Sequence, residues 1–184
     1  MIIEDGQGKG KTAGVTTENM LKVEAVTQTL EHHASQDHGT AFQYSWQQTP
    51  TGAGDCFLYI KNLDDIDMVV EGLKLRAAGA EQVEVKLGDA GTPAAGTDRT
   101  LINCNAGSGK TADVTFQTGN DITGLSGGNV VERIYVPNGT ESKYYNFEQD
   151  IIIPKNNVLT LYAVTGGIEI DGTFICHFHK AYDD

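Results

Sequence analysis

Short runs in which apolar and polar residues alternate recur along most of this chain. They include "MLKVEAVTQ" (20–28), "TAFQYSW" (40–46), "CFLYIKN" (56–62) and "QVEVKLGD" (82–89). A period of two places every second side chain on one face of an extended strand, as expected where one face meets a core. In 56–62 this pattern predicts Cys56, Leu58 and Ile60 on one face and Phe57 and Tyr59 on the other.

Further strands are predicted at 67–77, on both sides of the Gly-rich "NAGSG" (in "RTLINC" and "ADVTFQTG"), in "NVVERIYV", and as three late strands after residue 146. The longer stretch "NLDDIDMVVEGLKLRAAG" (62–79) could be drawn as a helix, but Gly72 and the adjacent Val69-Val70 pair favour a strand. Turn signals separate the strands: "TPAAGTD" (92–98) is expected to be a loop, and "PNGT" and "TGG" to be turns. The last run, Thr173 to Tyr182, is expected to close the sheet.

About ten short strands joined by turns predict an all-β fold, an antiparallel β-sandwich that is jelly-roll-like. Strands do not alternate with helical patterns of about 10–15 residues, which disfavours a parallel α/β sheet. Residues 1–19 are Gly-rich and polar, and we expect an extended N-terminal arm there. Residues 20–184 are expected to form a single sandwich domain.

The net charge of −12 narrows the classes of partner. Nucleic acids and anionic membranes both attract clustered Lys and Arg, so neither is expected. No run approaches about 18 consecutive apolar residues, and the start lacks the basic and apolar segments of a signal peptide. We therefore expect synthesis in a cytoplasm. Three widely spaced cysteines, Cys56, Cys104 and Cys176, predict buried free thiols and no disulfide framework.

Two stretches resemble the phosphate-binding loop of an ATPase: "GKGKTAGV" (8–15) and "NAGSGKTADV" (105–114). That loop requires a first Gly five residues before the Gly-Lys-Thr, and this chain has Asp5 and Cys104 there. The loop must also open a helix, whereas "TADVTFQTG" alternates like a strand. Both stretches are therefore interpreted as Gly-rich turns that lead into strands, and no nucleotide cofactor is expected.

Other candidate sites are weak. His177 and His179 share one face of the last strand, with Cys176 on the opposite face, and His32, His33 and His38 lie in a polar loop. A position on a solvated strand face or in a polar loop accounts for these histidines without a metal ion, so no metal is expected. Asp64, Asp65 and Asp67 lack the Gly and distal Glu of a calcium loop. No nucleophile elbow or catalytic triad is recognisable, so no catalytic residue is predicted and the protein is expected not to be an enzyme.

The first 27 residues resemble a pattern found at the amino terminus of virion structural proteins of tailed bacteriophages. In that pattern "I-E-D-G-x-G-x-G" leads through "A-x-V-[ST]-x-x-N-x-L" into a first strand. The matching residues are Ile3, Glu4, Asp5, Gly6, Gly8, Gly10, Ala13, Val15, Thr16, Asn19 and Leu21. "GTAFQYSW", "LYIKN" and the terminal "AYDD" are similar to later parts of these proteins, so the resemblance covers about half of the chain.

This resemblance implies a structural component on the virion, such as a capsid decoration (cement) protein, a head fibre or a neck protein. Such proteins are often jelly-roll-like and commonly trimeric. The expected partners are the major capsid protein and other copies of the chain, on the exterior of the capsid. The arm, through Ile2, Ile3, Lys9 and Lys11, is a candidate capsid contact, because it is less acidic than the remainder of the chain.

Two alternatives remain open. The first is a carbohydrate-binding, host-recognition sandwich on a tail or fibre, in which Trp46, Tyr44 and the pair Tyr144-Tyr145 would stack against sugars. The second is an ATPase or metal hydrolase, which ligand-dependent thermal stabilisation would reveal.

Overall fold

The structure, a computed structural model, describes residues 3–4, 12–13 and 34–179. Fifteen strands and one π-helical turn, Ala34–His38, make up the described part of the chain. In chain order the strands are β1 (Ile3–Glu4), β2 (Thr12–Ala13), β3 (Ala41–Gln48), β4 (Asp55–Asn62), β5 (Asp67–Ala77), β6 (Glu81–Leu87), β7 (Ala90–Ala94), β8 (Thr97–Asp98), β9 (Ile102–Asn103), β10 (Val114–Thr118), β11 (Thr123–Ser126), β12 (Asn129–Val136), β13 (Lys143–Ile153), β14 (Val158–Ala163) and β15 (Ile170–His179).

These strands form an all-β, antiparallel sandwich, as the alternating runs predict. One sheet has six strands in the order β12-β6-β14-β4-β10-β8, and the other has five in the order β13-β5-β15-β3-β9. Two smaller sheets pair β7 with β11 and β1 with β2. All the strand pairs in these sheets are antiparallel. The stretch 67–77 is a strand, which confirms the choice of strand over helix.

The main core lies between the two large sheets. Phe116 of β10 packs against Phe174 of β15 with ring centroids 6.0 Å apart, and Trp46 of β3 faces Phe57 of β4 at 6.5 Å. The remaining members are buried aliphatic side chains from both inner faces. Burial of this kind contributes roughly 25 cal/mol per Å² of apolar surface removed from water, so this layer holds the sheets together.

The face assignment that alternation predicts for β4 is wrong at Cys56 and at Phe57. Phe57 joins Leu58 and Ile60 in the main core, while Cys56 and Tyr59 belong to a second cluster on the outer side of the sheet. The register between β14 and β4 shifts between Leu161 and Tyr162, which leaves Phe57 as an extra residue in β4. Such a β-bulge breaks the period of two, and sequence alternation does not reveal it.

The second cluster lies beneath an insertion, residues 88–128, that separates the neighbouring strands β6 and β12. Ile122 and Leu125 of this insertion pack over Cys56, Tyr59 and Val158. The carboxylate of Asp89 fastens the base of the insertion, because it accepts hydrogen bonds from the Gly128 amide at 2.8 Å and the Thr160 hydroxyl at 2.5 Å. The central strands of the six-stranded sheet are therefore covered on both faces.

Three finer predictions need correction. Residues 92–98 are not wholly a loop, since β7 and β8 pair there with β11 and β10. "RTLINC" forms a strand only at Ile102–Asn103. The last strand, β15, does not close a sheet but lies at its centre between β5 and β3. Central placement fits its sequence, because the side chains of Phe174, Cys176 and Phe178 all enter the main core.

Candidate interaction surface

The Gly-rich loop at 105–111 is held by hydrogen bonds of its own. The side chains of Asn103, Asn105 and Ser108 accept hydrogen bonds from the amides of Asn105, Gly107 and Lys110, respectively. The Lys110 ammonium donates to the His38 carbonyl at 2.7 Å. A phosphate loop needs these amides and this lysine to face the ligand. The interpretation as a turn leading into a strand, here β10, is therefore the better one. Of the first such stretch, residues 8–15, only Thr12–Ala13 lies among the described residues.

The histidines are placed apart. His177 is buried and its Nδ1 lies 2.7 Å from Oε1 of Glu71 on β5, also largely buried. His38 is exposed at the end of the π-helical turn, whereas His32, His33 and the side chain of His179 lie outside the described residues. Cys176 is on the opposite face of β15 from His177, as predicted. Within residues 34–179, no three His, Cys, Asp or Glu side chains are grouped so as to hold a metal ion.

The acidic stretch 64–67 is a hydrogen-bonded turn. Asp64 accepts the amide of Ile66 at 3.1 Å, and Asp65 forms an ion pair with Lys155 at 2.5 Å. The buried Asn62 donates to the carbonyls of Ile66 and Ile153 and thereby fixes the turn against β13. The interpretation of this stretch as a turn is consistent with this geometry.

The four aromatic residues proposed to stack against sugars do not share a surface. Trp46 is buried in the main core, and Tyr44 packs edge-on against Phe116 with ring centroids 5.2 Å apart. Tyr145 packs against the same core, and only Tyr144 among the four has a ring that is about half exposed. A stacking platform built from these residues is therefore wrong for this fold.

Two of the three cysteines are buried thiols, as predicted, and the third is not. Burial raises the pKa of Cys56 to about 12 and that of Cys176 well above its usual range. Cys104 follows the short strand β9 and is exposed. Partial desolvation and the nearby Glu71 carboxylate also raise the pKa of Cys104. All three thiols are therefore mostly protonated near neutral pH and weakly nucleophilic.

The most prominent surface feature is the edge of the six-stranded sheet at β12. Val130, Val131 and Tyr135 on this strand are 39%, 46% and 63% exposed. The neighbouring edge of the other sheet, β13, adds Tyr144 and Ile152, each 49% exposed. Five of the seven large hydrophobic residues exposed in the described part of the chain thus belong to two adjacent edge strands. We name Val130, Val131, Arg133 and Tyr135 the β12 surface.

The charges around the β12 surface balance. Residues 129–147 contain Glu132, Glu141, Arg133 and Lys143, so this segment is neutral in a chain of net charge −12. The Arg133 guanidinium donates to Glu84 on the neighbouring strand β6, at 3.0 and 2.9 Å. Burial opposes ionisation of Glu84, but hydrogen bonds from Arg133 and Lys86 outweigh it and lower the pKa of Glu84. The β12 surface is thus an apolar, neutral region of an acidic protein.

The backbone of the β12 edge is partly capped. The amide of Arg133 donates to the Glu132 carboxylate at 3.1 Å, and the carbonyl of Tyr135 accepts a hydrogen bond from the Tyr145 hydroxyl at 3.0 Å. Both edge strands also carry a register shift, between Val130 and Glu132 and between Asn146 and Ile151. Bulges and side-chain caps are devices by which proteins keep an exposed edge from pairing with another chain.

An open cleft of about 280 Å³ lies at the end of β12, beside Val136. Leu75, Val136 and Pro137 contribute apolar walls, and Glu141 and Lys143 contribute charged ones. This cleft is not part of the β12 surface, because Val136 is buried in the main core whereas the adjacent Tyr135 is exposed on the other face of the strand. Sequence reasoning predicted the strand "NVVERIYV" but missed this surface, because alternation does not say which strand is at an edge.

Comparisons of this chain with protein-family models, curated proteins and solved structures found no match. Among the residues that the structure describes, no helix has both the length and the apolar character needed to cross a membrane.

Proposed function

We propose that this protein is a non-enzymatic structural component of a tailed-phage virion, a capsid decoration protein that binds the outer surface of the major capsid protein lattice and stabilises the head. The observation that carries the proposal is the β12 surface, an apolar and neutral strip on a protein of net charge −12. Exposed apolar residues grouped in this way mark contact with another protein.

The strand order supports a jelly roll, the fold that the phage resemblance implies. Eight strands, β3–β6 and β12–β15, give two four-stranded halves in the orders β3-β15-β5-β13 and β4-β14-β6-β12. Successive strands alternate between the sheets except at β6 and β12, which are neighbours in one sheet. Two interleaved Greek keys have this order, and they recur in viral capsid and lectin domains. The fold supports the proposed function only by analogy, because one fold can serve many functions. The proposed function therefore rests on the exposed surface.

The arm remains the proposed capsid contact. Ile2, Lys9 and Lys11 lie outside the described residues, and Ile3 is described only as part of β1, where it pairs with Ala13. The assignment therefore rests on the resemblance and on the low net charge of the arm, in which Lys9 and Lys11 offset two of its three acidic residues, Glu4, Asp5 and Glu18. A segment that orders on a neighbouring subunit binds through such short apolar and charged contacts.

Co-sedimentation with undecorated capsids of the phage that carries this chain tests the proposal. We expect saturable binding and a higher temperature of capsid disruption with the protein present. Deletion of residues 2–12 is expected to abolish binding, while substitution of the exposed Asp113 by Asn, next to β10 and away from β12, serves as a control that leaves it unchanged. Binding that survives the deletion would overturn the role of the arm, and absence of binding by the full chain would overturn the function.

The carbohydrate-binding alternative loses its main support, because Trp46 is buried and Tyr44 packs in the core. A glycan array is expected to give no signal with this protein. A reproducible signal would favour host recognition over decoration of the head.

A further inference from the structure

We infer that Asn138 is a site of covalent modification in the native protein. Its side-chain amide is converted to a carboxylate, first by reaction with the backbone nitrogen of Gly139 and then by reaction with water. The reaction needs no partner protein, so it goes beyond the proposed function and does not depend on it.

The residue that follows each asparagine sets Asn138 apart. Asn138 is the only asparagine in the chain that precedes a glycine. Because glycine has no Cβ, its backbone nitrogen is the least shielded from an attack on the preceding side chain. The asparagines elsewhere in residues 34–179 all precede residues with side chains, namely Leu63, Cys104, Ala106, Asp121, Val130, Phe147, Asn157 and Val158.

Hydrogen bonding also separates Asn138 from most of the other asparagines. Side chains that take part in hydrogen bonds include those of Asn62, Asn103, Asn105, Asn120, Asn146 and Asn157. Asn138 is exposed, and its side chain makes no hydrogen bond with the described part of the chain. The amide is therefore free to turn toward the main chain.

The backbone at this position is weakly held. Asn138 meets the neighbouring strand β5 in an isolated bridge to Ala77, and the Gly139 amide donates to the Ala77 carbonyl at 3.4 Å. A hydrogen bond of that length is weak, so its release costs little. The Gly139 nitrogen can thus approach Cγ of Asn138 without unfolding of the sandwich.

The reaction is balanced by water alone. The Gly139 nitrogen forms a bond to Cγ of Asn138 and loses its proton, while the side-chain nitrogen leaves with that proton as ammonia. The product is a five-membered cyclic imide. Water then opens the ring at either carbonyl and yields aspartate, or isoaspartate, in which the main chain runs through the side-chain carbon. Asn138 and Gly139 both line the open cleft at the end of β12, which admits that water.

The modification changes a region whose charges otherwise balance. The segment 129–147 has two acidic and two basic side chains, so one new carboxylate makes it net negative. Isoaspartate also adds a carbon to the main chain at the bridge to Ala77. A charge placed there would have to be desolvated in any contact that covers the cleft, which disfavours the contact.

Mass spectrometry of tryptic peptides tests the inference with the full chain. Trypsin cleaves after Arg133 and Lys143, so Asn138 is released in residues 134–143 and Asn146 in the adjoining peptide, 144–155. Asn146 is the matched control: it is also exposed, but it precedes Phe147 and accepts the Glu148 amide at 2.9 Å. During incubation of the native protein near neutral pH, we expect the mass change from amide to acid in 134–143 at least about tenfold faster than in 144–155.

Two further samples separate the contribution of the fold from that of the sequence. The chain unfolded in urea gives the rate without the fold, and the native rate at Asn138 is expected to lie within about fivefold of it. Gly139→Ala should slow the modification at least about fivefold, because the added Cβ shields the nitrogen. This variant should still fold, since the nearest atoms to a Cβ there are 3.9 Å away.

A native protein in which residues 134–143 keep their mass would overturn the inference, because the fold would then protect Asn138. Equal rates for the two peptides, or an unchanged rate in Gly139→Ala, would overturn it as well. Capsid co-sedimentation does not enter this measurement, so a chain that fails to bind capsids contradicts only the proposed function.

Discussion

Nδ1 of His177 and Oε1 of Glu71 lie 2.7 Å apart across the β15–β5 pair, and both side chains are nearly inaccessible to solvent. The two residues face away from the main core, on the side of the sheet where the π-helical turn contacts β15. A polar pair at such a position fixes the register of the two central strands. If the strands slipped by one residue, the two side chains would be separated and each would be buried without the other as its hydrogen-bond partner.

Replacing Glu71 by Ala is therefore expected to lower the free energy of unfolding by about 2–4 kcal/mol, since it leaves a buried imidazole without this acceptor. Glu71→Gln retains an oxygen acceptor and is expected to cost about 1 kcal/mol. Chemical denaturation measures both. A double-mutant cycle with His177→Phe should give a coupling energy of about 1–3 kcal/mol, and a coupling near zero would contradict the pairing.

Glu81 anchors the loop between β14 and β15. Its buried carboxylate accepts three amide hydrogen bonds, from Gln82, Thr165 and Gly166, at 2.8–2.9 Å. Glu81→Gln replaces one acceptor oxygen by an NH₂ group, which cannot accept a hydrogen bond from a backbone amide. We therefore expect the free energy of unfolding to fall by about 2–3 kcal/mol. Glu141→Gln, on the exposed loop after β12, should change it by less than about 0.5 kcal/mol. Similar losses for the two variants would refute the anchoring role.

Gly88 and Gly91 both have a positive φ, but only Gly91 also lies close to a neighbouring strand. Comparing the two shows how much of a glycine's importance comes from backbone conformation and how much from lack of space. Gly88 has φ +80° and open space around it, whereas Gly91 has φ +116° and a methyl group there would collide with the Gly124 carbonyl oxygen. Gly88→Ala is expected to cost about 1–2 kcal/mol of stability through backbone strain. Gly91→Ala should cost clearly more, because β7 and β11 must also separate. Thermal and chemical unfolding compare them, and equal effects would contradict the close β7–β11 approach.

The thiols are expected to differ in reactivity. Near pH 8 the native protein should react with one equivalent of a thiol reagent, at Cys104, and with three equivalents once unfolded, because Cys56 and Cys176 are buried. Since the pKa of Cys104 is raised by desolvation and by Glu71, its reaction rate should still be increasing with pH between pH 8 and 9. Cys104→Ser should abolish native labelling. Labelling of two or three thiols in the native state would contradict the assigned burial.

Because its thiol is buried, Cys56 is also expected to lower the free energy of unfolding at alkaline pH. The unfolded thiol ionises near pH 9.0, while burial raises the folded pKa to about 12. The neutral thiol is thus favoured by the fold, so its contribution is complete below pH 9 and declines as pH rises toward 12. Cys56→Ala should reduce the slope of unfolding free energy between pH 9.5 and 11 by up to about 1.4 kcal/mol per pH unit. An unchanged slope would show that this thiol does not contribute.

The fold class follows from local pattern, but the position of the exposed β12 surface does not. Alternation located most strands because one side of each strand must meet a core, and Gly-rich segments located the turns. Alternation placed Cys56 and Phe57 on the wrong faces of β4, since the bulge there depends on the pairing of β4 with β14. It also could not tell that "NVVERIYV" is an edge while the similar last strand is central, because strand order is set by packing over long sequence distances.

A capsid-binding titration is the most direct test of the proposed role as a capsid decoration protein. Purified protein should be titrated onto undecorated capsids, and the number of bound chains per capsid subunit should be measured after sedimentation. A capsid decoration protein should reach a plateau at a fixed ratio to the major capsid protein and should lose binding when residues 2–12 are deleted. Absence of binding at any concentration, or binding that rises without a plateau, would contradict a role as a capsid decoration protein.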